Sequence, residues 1–108
     1  TITAISNDYS YDDVFFHQLK YLLNEKDVLV TISGSGNSTN VIKAAEYAQN
    51  QGNVVISMVG FDGGKLKEIS DYCFHVPVNN MQISEDLHLF CCHLLSTLIR
   101  ECKNKQYD

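Results

Sequence analysis

The sequence predicts an α/β fold in which a parallel β-sheet lies between layers of helices. Three apolar runs of strand length, residues 28–32, 54–59 and 73–78, alternate with segments whose apolar residues recur at helical spacing. Strands separated by helices are joined by right-handed crossovers, so this alternation favours parallel pairing. With 108 residues, 44% of them hydrophobic, the chain can bury one core. We therefore expect a single domain or part of one.

The first half of the chain predicts one helix and one strand before a glycine-rich loop. Residues 1–10 are short and mixed and predict no element, whereas residues 12–23 carry apolar side chains at helical spacing. A polar turn at 24–27 leads into the strand at 28–32. This continuous β-branched and aliphatic run is typical of a strand covered on both faces.

The second half repeats the pattern. A helix is expected over 38–51 and ends at Gly52, and the strand at 54–59 follows it. A short helix is expected near 66–69, before the third strand, which closes at Pro77. A long helix is then expected from about Ser84 to Cys102. Three strands form a small sheet whose first strand has an apolar, unpaired edge. We expect another part of the same polypeptide or a partner chain to cover that edge.

Charge and cysteine usage exclude several classes of protein. There are 13 acidic against 8 basic side chains, giving a formal net charge of -5, and no Lys or Arg cluster, which argues against a nucleic-acid surface. No apolar stretch approaches the roughly 20 residues of a membrane span, and no leader-like segment opens the chain. The cysteines lack CxxC spacing and are interpreted as reduced structural thiols. We predict a soluble, cytoplasmic protein.

The loop after the first strand carries the clearest chemical signal. Its glycines would let the backbone approach an anion, and the following helix presents unpaired amide groups at its start. Three serine hydroxyls and an asparagine add neutral donors, so the loop predicts a lysine-free phosphate site made of Ser33, Gly34, Ser35, Gly36, Asn37 and Ser38. It lacks the lysine of nucleoside triphosphatase loops and the GxGxxG spacing of dinucleotide sites. The alternative is that these residues only cap the helix and make a tight turn.

The run from Asp27 to Ser38, DVLVTISGSGNS, closely resembles the phosphate-loop strand of SIS (sugar isomerase) domains, especially the phosphoheptose isomerase branch. The similarity continues through residues 40–44, 60–64, 76–77 and 83–88, and Asn7-Asp8-Tyr9 is similar to an NDYG segment of that family. The resemblance implies a three-layer αβα, flavodoxin-like fold with a five-stranded parallel sheet. Residues 1–108 would supply its last three strands, as the carboxyl-terminal part of a SIS domain.

The resemblance also implies a reaction. Phosphoheptose isomerases interconvert ketose and aldose phosphates through an enediol, and this requires a base beside the carbonyl. His93 matches a family histidine that serves zinc and proton transfer, and Glu85 matches a position where the family carries glutamine. Both are thus candidate catalytic residues and zinc ligands, eight residues apart on one broad helix face. Two ligands do not make a zinc site, so further ligands would come from elsewhere. Asp8 is expected to approach the sugar.

The same residues allow other interpretations. His93 could be a packed helix histidine, and Glu85 a carboxylate in the first turn of its helix. His17, His75 and His88 are interpreted as structural. The leading function is an isomerase of the sedoheptulose-7-phosphate type, and the alternative is a non-catalytic, phosphosugar-binding regulatory SIS module. A purely structural oligomerisation fragment is the third class. SIS relatives form dimers or tetramers, so a homo-oligomer is expected.

Overall fold

The computed structural model describes the backbone of residues 1–107 and the side chains of residues 1–105. Helices and strands alternate along most of this range. In chain order the elements are α1 (Ile2–Asp8), a 3-10 turn (Tyr11–Asp13), α2 (Val14–Leu22), β1 (Val28–Ser33), α3 (Thr39–Asn50), β2 (Val54–Val59), α4 (Gly64–Ile69), β3 (Tyr72–His75) and α5 (Met81–Tyr107).

The three strands form one parallel sheet in the order β1-β2-β3. Val28 pairs with Val54 at the start of the first ladder, and Ile56 pairs with Tyr72 at the start of the second. The predicted α/β class with a parallel sheet is confirmed. Because the strands are parallel, their carboxyl ends lie at one edge, where Ser33 and Val59 face the loops that follow them.

Helices α3 and α4 cover one face of the sheet and form the main core. Small side chains on α3 allow its backbone to approach the strands closely, and larger ones fill the remaining space. The fully buried members of this core are Ala45, Ala48, Val55, Val59 and Leu66.

The opposite face is covered by α5 only in part. Met58 is fully buried there, with its Sδ atom 3.7 Å from Cys92 Sγ. Val28, Val30 and Ile32 on the same face of β1 are 52%, 44% and 52% exposed. The expectation that β1 is covered on both faces is therefore wrong for the described residues, because α5 packs mainly on β2. The outer edge of β1 also has no paired strand among these residues, as expected.

A chain of buried and half-buried hydroxyl groups links the sheet to α4. Thr31 Oγ1 lies 2.6 Å from Ser57 Oγ, which lies 2.5 Å from Ser70 Oγ, and Ser70 donates to the Leu66 carbonyl oxygen at 2.6 Å. Each polar atom thus has a partner, so the network can be buried without a large desolvation penalty.

The ends of several elements differ from the sequence prediction for local reasons. Helix α1 was not predicted; it is short and buries only Ile5. Helix α5 begins at Met81, three residues before the predicted start, and the Asn80 side chain accepts from the Ile83 amide at 3.1 Å in its first turn. Strand β3 stops at His75, before Pro77, which has no N–H to donate. No described helix is both long and apolar enough to cross a membrane.

Candidate phosphate site

The loop that follows β1 folds back onto the start of α3. Ser33, only 6% exposed, is its inner anchor: its Oγ accepts from the Gly36 amide at 3.2 Å and lies 3.2 Å from Ser38 Oγ, to which it donates. Ser35 Oγ accepts from the Asn37 amide at 3.1 Å. The loop is therefore held in one shape by its own hydroxyl groups. We call residues 33–38 the cradle.

A second loop, residues 60–63, together with the first turn of α4, supports the cradle from the side. The Gly60 amide donates to the Gly34 carbonyl at 2.7 Å, and the Leu66 amide donates to the Gly36 carbonyl at 3.0 Å. The Lys65 amide donates to Asn37 Oδ1 at 2.9 Å. The sequence indicated only a turn here, so this supporting role was missed. The side-chain oxygen of Asn37 is thus occupied by the Lys65 amide, while the hydrogens of its side-chain NH₂ group remain available as donors.

The two glycines of the cradle have different neighbours. Gly36 has φ of +71°, and a Cβ atom there would overlap the Gly63 carbonyl group. A Cβ atom on Gly34 would overlap the side chain of Met81 at the start of α5. Gly36 is thus required by its own backbone conformation and by its contact with Gly63, whereas the Met81 side chain could move away from a Cβ atom at position 34. Both glycines also leave room for the approach of an anion that the sequence predicts.

The start of α3 presents donors that have no acceptor among the described residues. Ser38 is the N-cap residue, and its side chain makes no capping hydrogen bond, so capping alone does not explain it. The first-turn amides of Thr39 and Asn40 have no acceptor within the helix. The positive end of the helix dipole adds to them, and the Ser35 and Ser38 hydroxyl hydrogens complete the set. This arrangement suits a phosphate group.

An open cavity of about 430 Å³ lies beside the start of α3. Its wall opposite the helix comes from the segment before α2, which the sequence did not assign to the site. The lining residues are Tyr11, Asp12, Phe15, Ser38, Thr39, Asn40 and Val41. An ion pair of 2.9 Å between Lys43 Nζ and Asp13 Oδ1 holds this segment against α3, and the hydrogen bond to Asp13 raises the pKa of Lys43. A local sequence pattern cannot predict this ion pair, because Asp13 and Lys43 are 30 residues apart.

Asp8 lies outside that cavity lining. It is the last residue of α1, is exposed, and accepts from the side chain of neighbouring Asn7 at 3.3 Å. The structure thus brings Tyr11 and Asp12, and not Asp8, next to the start of α3.

Glu85 and His93 both lie exposed on α5. Since α5 begins at Met81, Glu85 lies in its second turn, so the alternative of a first-turn carboxylate is wrong. Glu85 directly follows Ser84, which packs against Gly60 in the loop beside the cradle. His93 lies about 12 Å farther along the helix axis. Among the described residues, no group of three or more His, Cys, Asp or Glu side chains is placed to hold a metal ion.

Comparison with known proteins decides the family. The family model described as SIS domain matches residues 1–60, more than half of the chain. The chain belongs to the SIS domain family. This confirms the resemblance identified from the cradle sequence.

Curated relatives of this SIS domain include two bacterial phosphoheptose isomerases. The protein from Helicobacter pylori strain P12 is 44% identical over 98 residues, covering 91% of the chain and 51% of the relative. The protein from Rhodospirillum rubrum is 41% identical over 101 residues, covering 94% of the chain and 54% of the relative. The chain spans about half the length of the curated relatives it matches.

Solved structures agree with the fold of the SIS domain. The phosphoheptose isomerase GmhA from Neisseria gonorrhoeae superposes with a TM-score of 0.87 at 39% identity, covering 91% of the chain and 56% of that structure. A phosphoheptose isomerase from Francisella tularensis gives a TM-score of 0.86 at 34% identity, covering 91% of the chain and 53% of that structure. The predicted three-layer, flavodoxin-like architecture is therefore confirmed.

The remaining histidines of the SIS domain contact backbone carbonyl groups or aromatic rings. His75 Nε2 lies 2.8 Å from the Phe61 carbonyl oxygen, and His88 Nε2 lies 2.8 Å from that of Val59. His17 packs against Tyr9 with tilted rings, centroids 4.4 Å apart, and against Tyr21 edge to face, centroids 5.7 Å apart. These contacts agree with the structural interpretation of all three histidines.

The cysteines of the SIS domain are free thiols. Burial raises the pKa of Cys73 and of Cys91, so both remain protonated at neutral pH. A protonated thiol is a poor nucleophile and a poor metal ligand. The geometry thus agrees with the prediction of reduced structural thiols.

Proposed function

We propose that the chain forms the phosphosugar-binding part of a phosphoheptose isomerase, acting on a ketose phosphate such as sedoheptulose 7-phosphate. The observation that carries the proposal is the cradle, a lysine-free loop held at the carboxyl edge of a parallel sheet and ending at the start of α3. The relatives described above are named phosphoheptose isomerases, which supports this activity over a regulatory, non-catalytic module.

In this proposal the phosphate is bound by neutral donors. The Ser35 and Ser38 hydroxyl groups and the amides of Thr39 and Asn40 point their hydrogens at the phosphate oxygens, and the α3 dipole favours the negative charge. Ser33, Gly34, Gly36 and Asn37 hold the loop in the required shape. With a net charge of -5, the chain depends on such local donors to attract an anion. Asp8 is proposed to bind a sugar hydroxyl group.

The reaction requires a proton to move between two neighbouring carbons. We assign the base to His93: it removes the proton from the hydroxyl-bearing carbon C1 beside the ketone, giving an enediol, and returns it to C2. The C1–H bond breaks and a C2–H bond forms, while the proton of the C1 hydroxyl group passes to the oxygen on C2. The Glu85 carboxylate is proposed to carry that second proton.

Zinc enters the proposal only in a limited way. Glu85 and His93 would supply one oxygen and one nitrogen ligand, and zinc sites use three or four protein ligands. The described residues alone do not complete such a set. A bound zinc ion would polarise the sugar carbonyl, and its other ligands would come from outside the described residues. No proton-transfer step above depends on it.

We also propose that the protein works as a homo-oligomer, a dimer or tetramer, in the cytoplasm. The exposed apolar side chains Val28, Val30 and Ile32 on the open face of β1 support association, because apolar surface of this kind is usually covered. The free thiols fit a reducing compartment.

Calorimetric titration with sedoheptulose 7-phosphate tests the cradle. The double variant Ser35→Ala, Ser38→Ala removes two hydroxyl donors to a charged group, each worth about 1.5 to 3 kcal/mol, so affinity should fall by more than about a hundredfold. Ser96→Ala, which removes an exposed serine hydroxyl from α5, is the matched control and should bind as the unmodified chain does.

Turnover separates the isomerase from a binding module. The protein should convert the ketose phosphate to its aldose, and His93→Ala should abolish conversion while sugar binding persists. Binding without conversion by the unmodified protein would contradict the isomerase. Unchanged affinity of the double serine variant would contradict the cradle as the phosphate site.

A further inference from the structure

Two side chains by which α5 packs on the sheet and its loops are polar and buried. Ser84 is fully buried and His88 is 2% exposed, and no other described side chain of α5 is buried. His88 Nε2 lies 2.8 Å from the Val59 carbonyl oxygen. A carbonyl oxygen can only accept, so Nε2 carries the proton and donates it. Within the described part of the chain, His88 Nδ1 and Ser84 Oγ have no hydrogen-bond partner.

The carbonyl oxygen that accepts from His88 lies at the end of a strand. Val59 is the last residue of β2, and its carbonyl oxygen also accepts from the Val76 amide at 2.9 Å. His88 therefore binds the group at which the β2–β3 ladder ends. This bond fixes α5 at the carboxyl edge of the sheet, the edge that carries the cradle.

One turn earlier, Ser84 fixes the same helix against the loops. A Cβ atom on Gly60 would clash with Ser84 Oγ and come close to the Gly34 carbonyl oxygen, so the three groups are in close contact. The Gly60 amide already donates to that carbonyl at 2.7 Å. Ser84 and His88 thus form a continuous contact from α5 to the base of the cradle.

We propose that His88 is a positioning residue: its Nε2–H bond to Val59 fixes α5 relative to the cradle, so that Glu85 and His93 face the sugar whose phosphate the cradle holds. This inference rests on the proposed function. An apolar side chain at position 88 would fill the space but provide no directional bond, and α5 could then shift along the sheet. Buried polar bonds of this kind specify one arrangement. His88 itself touches neither the sugar nor the reacting atoms.

The kinetic test compares His88→Leu with His88→Gln. Loss of the bond should lower kcat for sedoheptulose 7-phosphate by about tenfold or more, because small displacements of reacting groups are costly. KM should change less than kcat, since every hydrogen bond within the cradle is kept. The glutamine side chain ends in an NH₂ group that can reach the same carbonyl, so His88→Gln should recover most of kcat.

His75→Leu is the matched control. It also removes an Nε2 bond of 2.8 Å to a backbone carbonyl, but that carbonyl belongs to Phe61, in the loop beside the cradle. This variant should raise KM and leave kcat near its original value. Equal loss of kcat in the His75 and His88 variants, or an unchanged kcat in His88→Leu, would overturn the positioning role.

A spectroscopic test separates this inference from the proposed function. Nitrogen-15 NMR of the unmodified protein should show His88 as the Nε2–H tautomer, and His88→Leu should shift the amide signals of Glu85 and His93 more than those of Ser35 and Ser38. An Nδ1–H tautomer would overturn the inference even in an active enzyme.

If the unmodified protein catalyses no isomerisation, the proposed function fails while these signals still decide whether His88 positions α5. If His88→Leu does not fold, the glutamine variant and the tautomer decide.

Discussion

At the scale of single residues, the shape of the cradle depends on Gly36. Its φ of +71° is unfavourable for other residues, and a Cβ atom would also overlap the Gly63 carbonyl group. Gly36→Ala should therefore lower the free energy of unfolding by about 2 to 4 kcal/mol, the sum of the left-handed backbone cost and the steric clash. Urea unfolding followed by circular dichroism measures this change.

Gly52 provides the matched control for that substitution. Its φ of +85° is similar, but a Cβ atom there meets nothing within 4 Å. Gly52→Ala should cost only the backbone term, about 1 kcal/mol. If the two variants lose equal stability, the contact between the cradle and the second loop is not what requires glycine at position 36.

The cradle could be predicted from the sequence because its signal is local. Two glycines and three hydroxyl residues lie within six positions, directly after an apolar run. The partner of Asn37 could not be predicted, since the Lys65 amide lies 28 residues away and no spacing rule links the two. Tyr11 and Asp12 were missed for the same reason: they reach the site only through the packing of their segment on α3.

At the scale of elements, Asn53 joins the start of β2 to the turn before β1. Its side-chain amide donates to the Asn24 carbonyl at 2.9 Å and to the Asp27 carbonyl at 2.8 Å, and the residue is 7% exposed. Asn53→Ala should lower the free energy of unfolding by about 2 kcal/mol, about 1 kcal/mol for each bond. Thermal and urea unfolding both measure this loss.

Two further variants make that prediction specific. Asn53→Asp keeps the shape but replaces the donor by a carboxylate oxygen facing two carbonyl groups, so it should destabilise at least as much as alanine. Asn50→Ala, at an exposed position near the end of α3, should stay within about 0.5 kcal/mol of the original chain. A tolerated aspartate would show that the donated bonds do not hold the turn.

The helices and strands were predicted best where the spacing of apolar residues and the flanking turn residues indicate the same ends. The second strand, 54–59, matches β2 at both ends, because Gly52 and Asn53 precede it and a glycine follows. Helix α1 was missed because it is short and carries little apolar periodicity. The start of α5 was placed too late because Asn80, outside the apolar pattern, begins the helix. Tertiary contacts and caps decide such ends, and the apolar pattern does not contain them.

At the scale of the whole molecule, the sheet is covered unequally. One face is closed by α3 and α4, while α5 covers the other face only near β2. Within the described part of the chain, the open edge of β1 combines unpaired backbone groups with exposed valine and isoleucine side chains. Surfaces of this kind associate, and a symmetric contact between copies is the commonest way to cover them.

This surface predicts how the 12.2 kDa chain behaves in solution. Sedimentation velocity should show species larger than a monomer, and Ile32→Lys, which places a charge on the open face of β1, should shift the distribution towards the monomer. Gln51→Lys adds the same charge at an exposed site beyond α3 and should leave the distribution unchanged. A chain that is monomeric at every concentration, or an Ile32→Lys variant that associates as before, would mean that this face does not drive association.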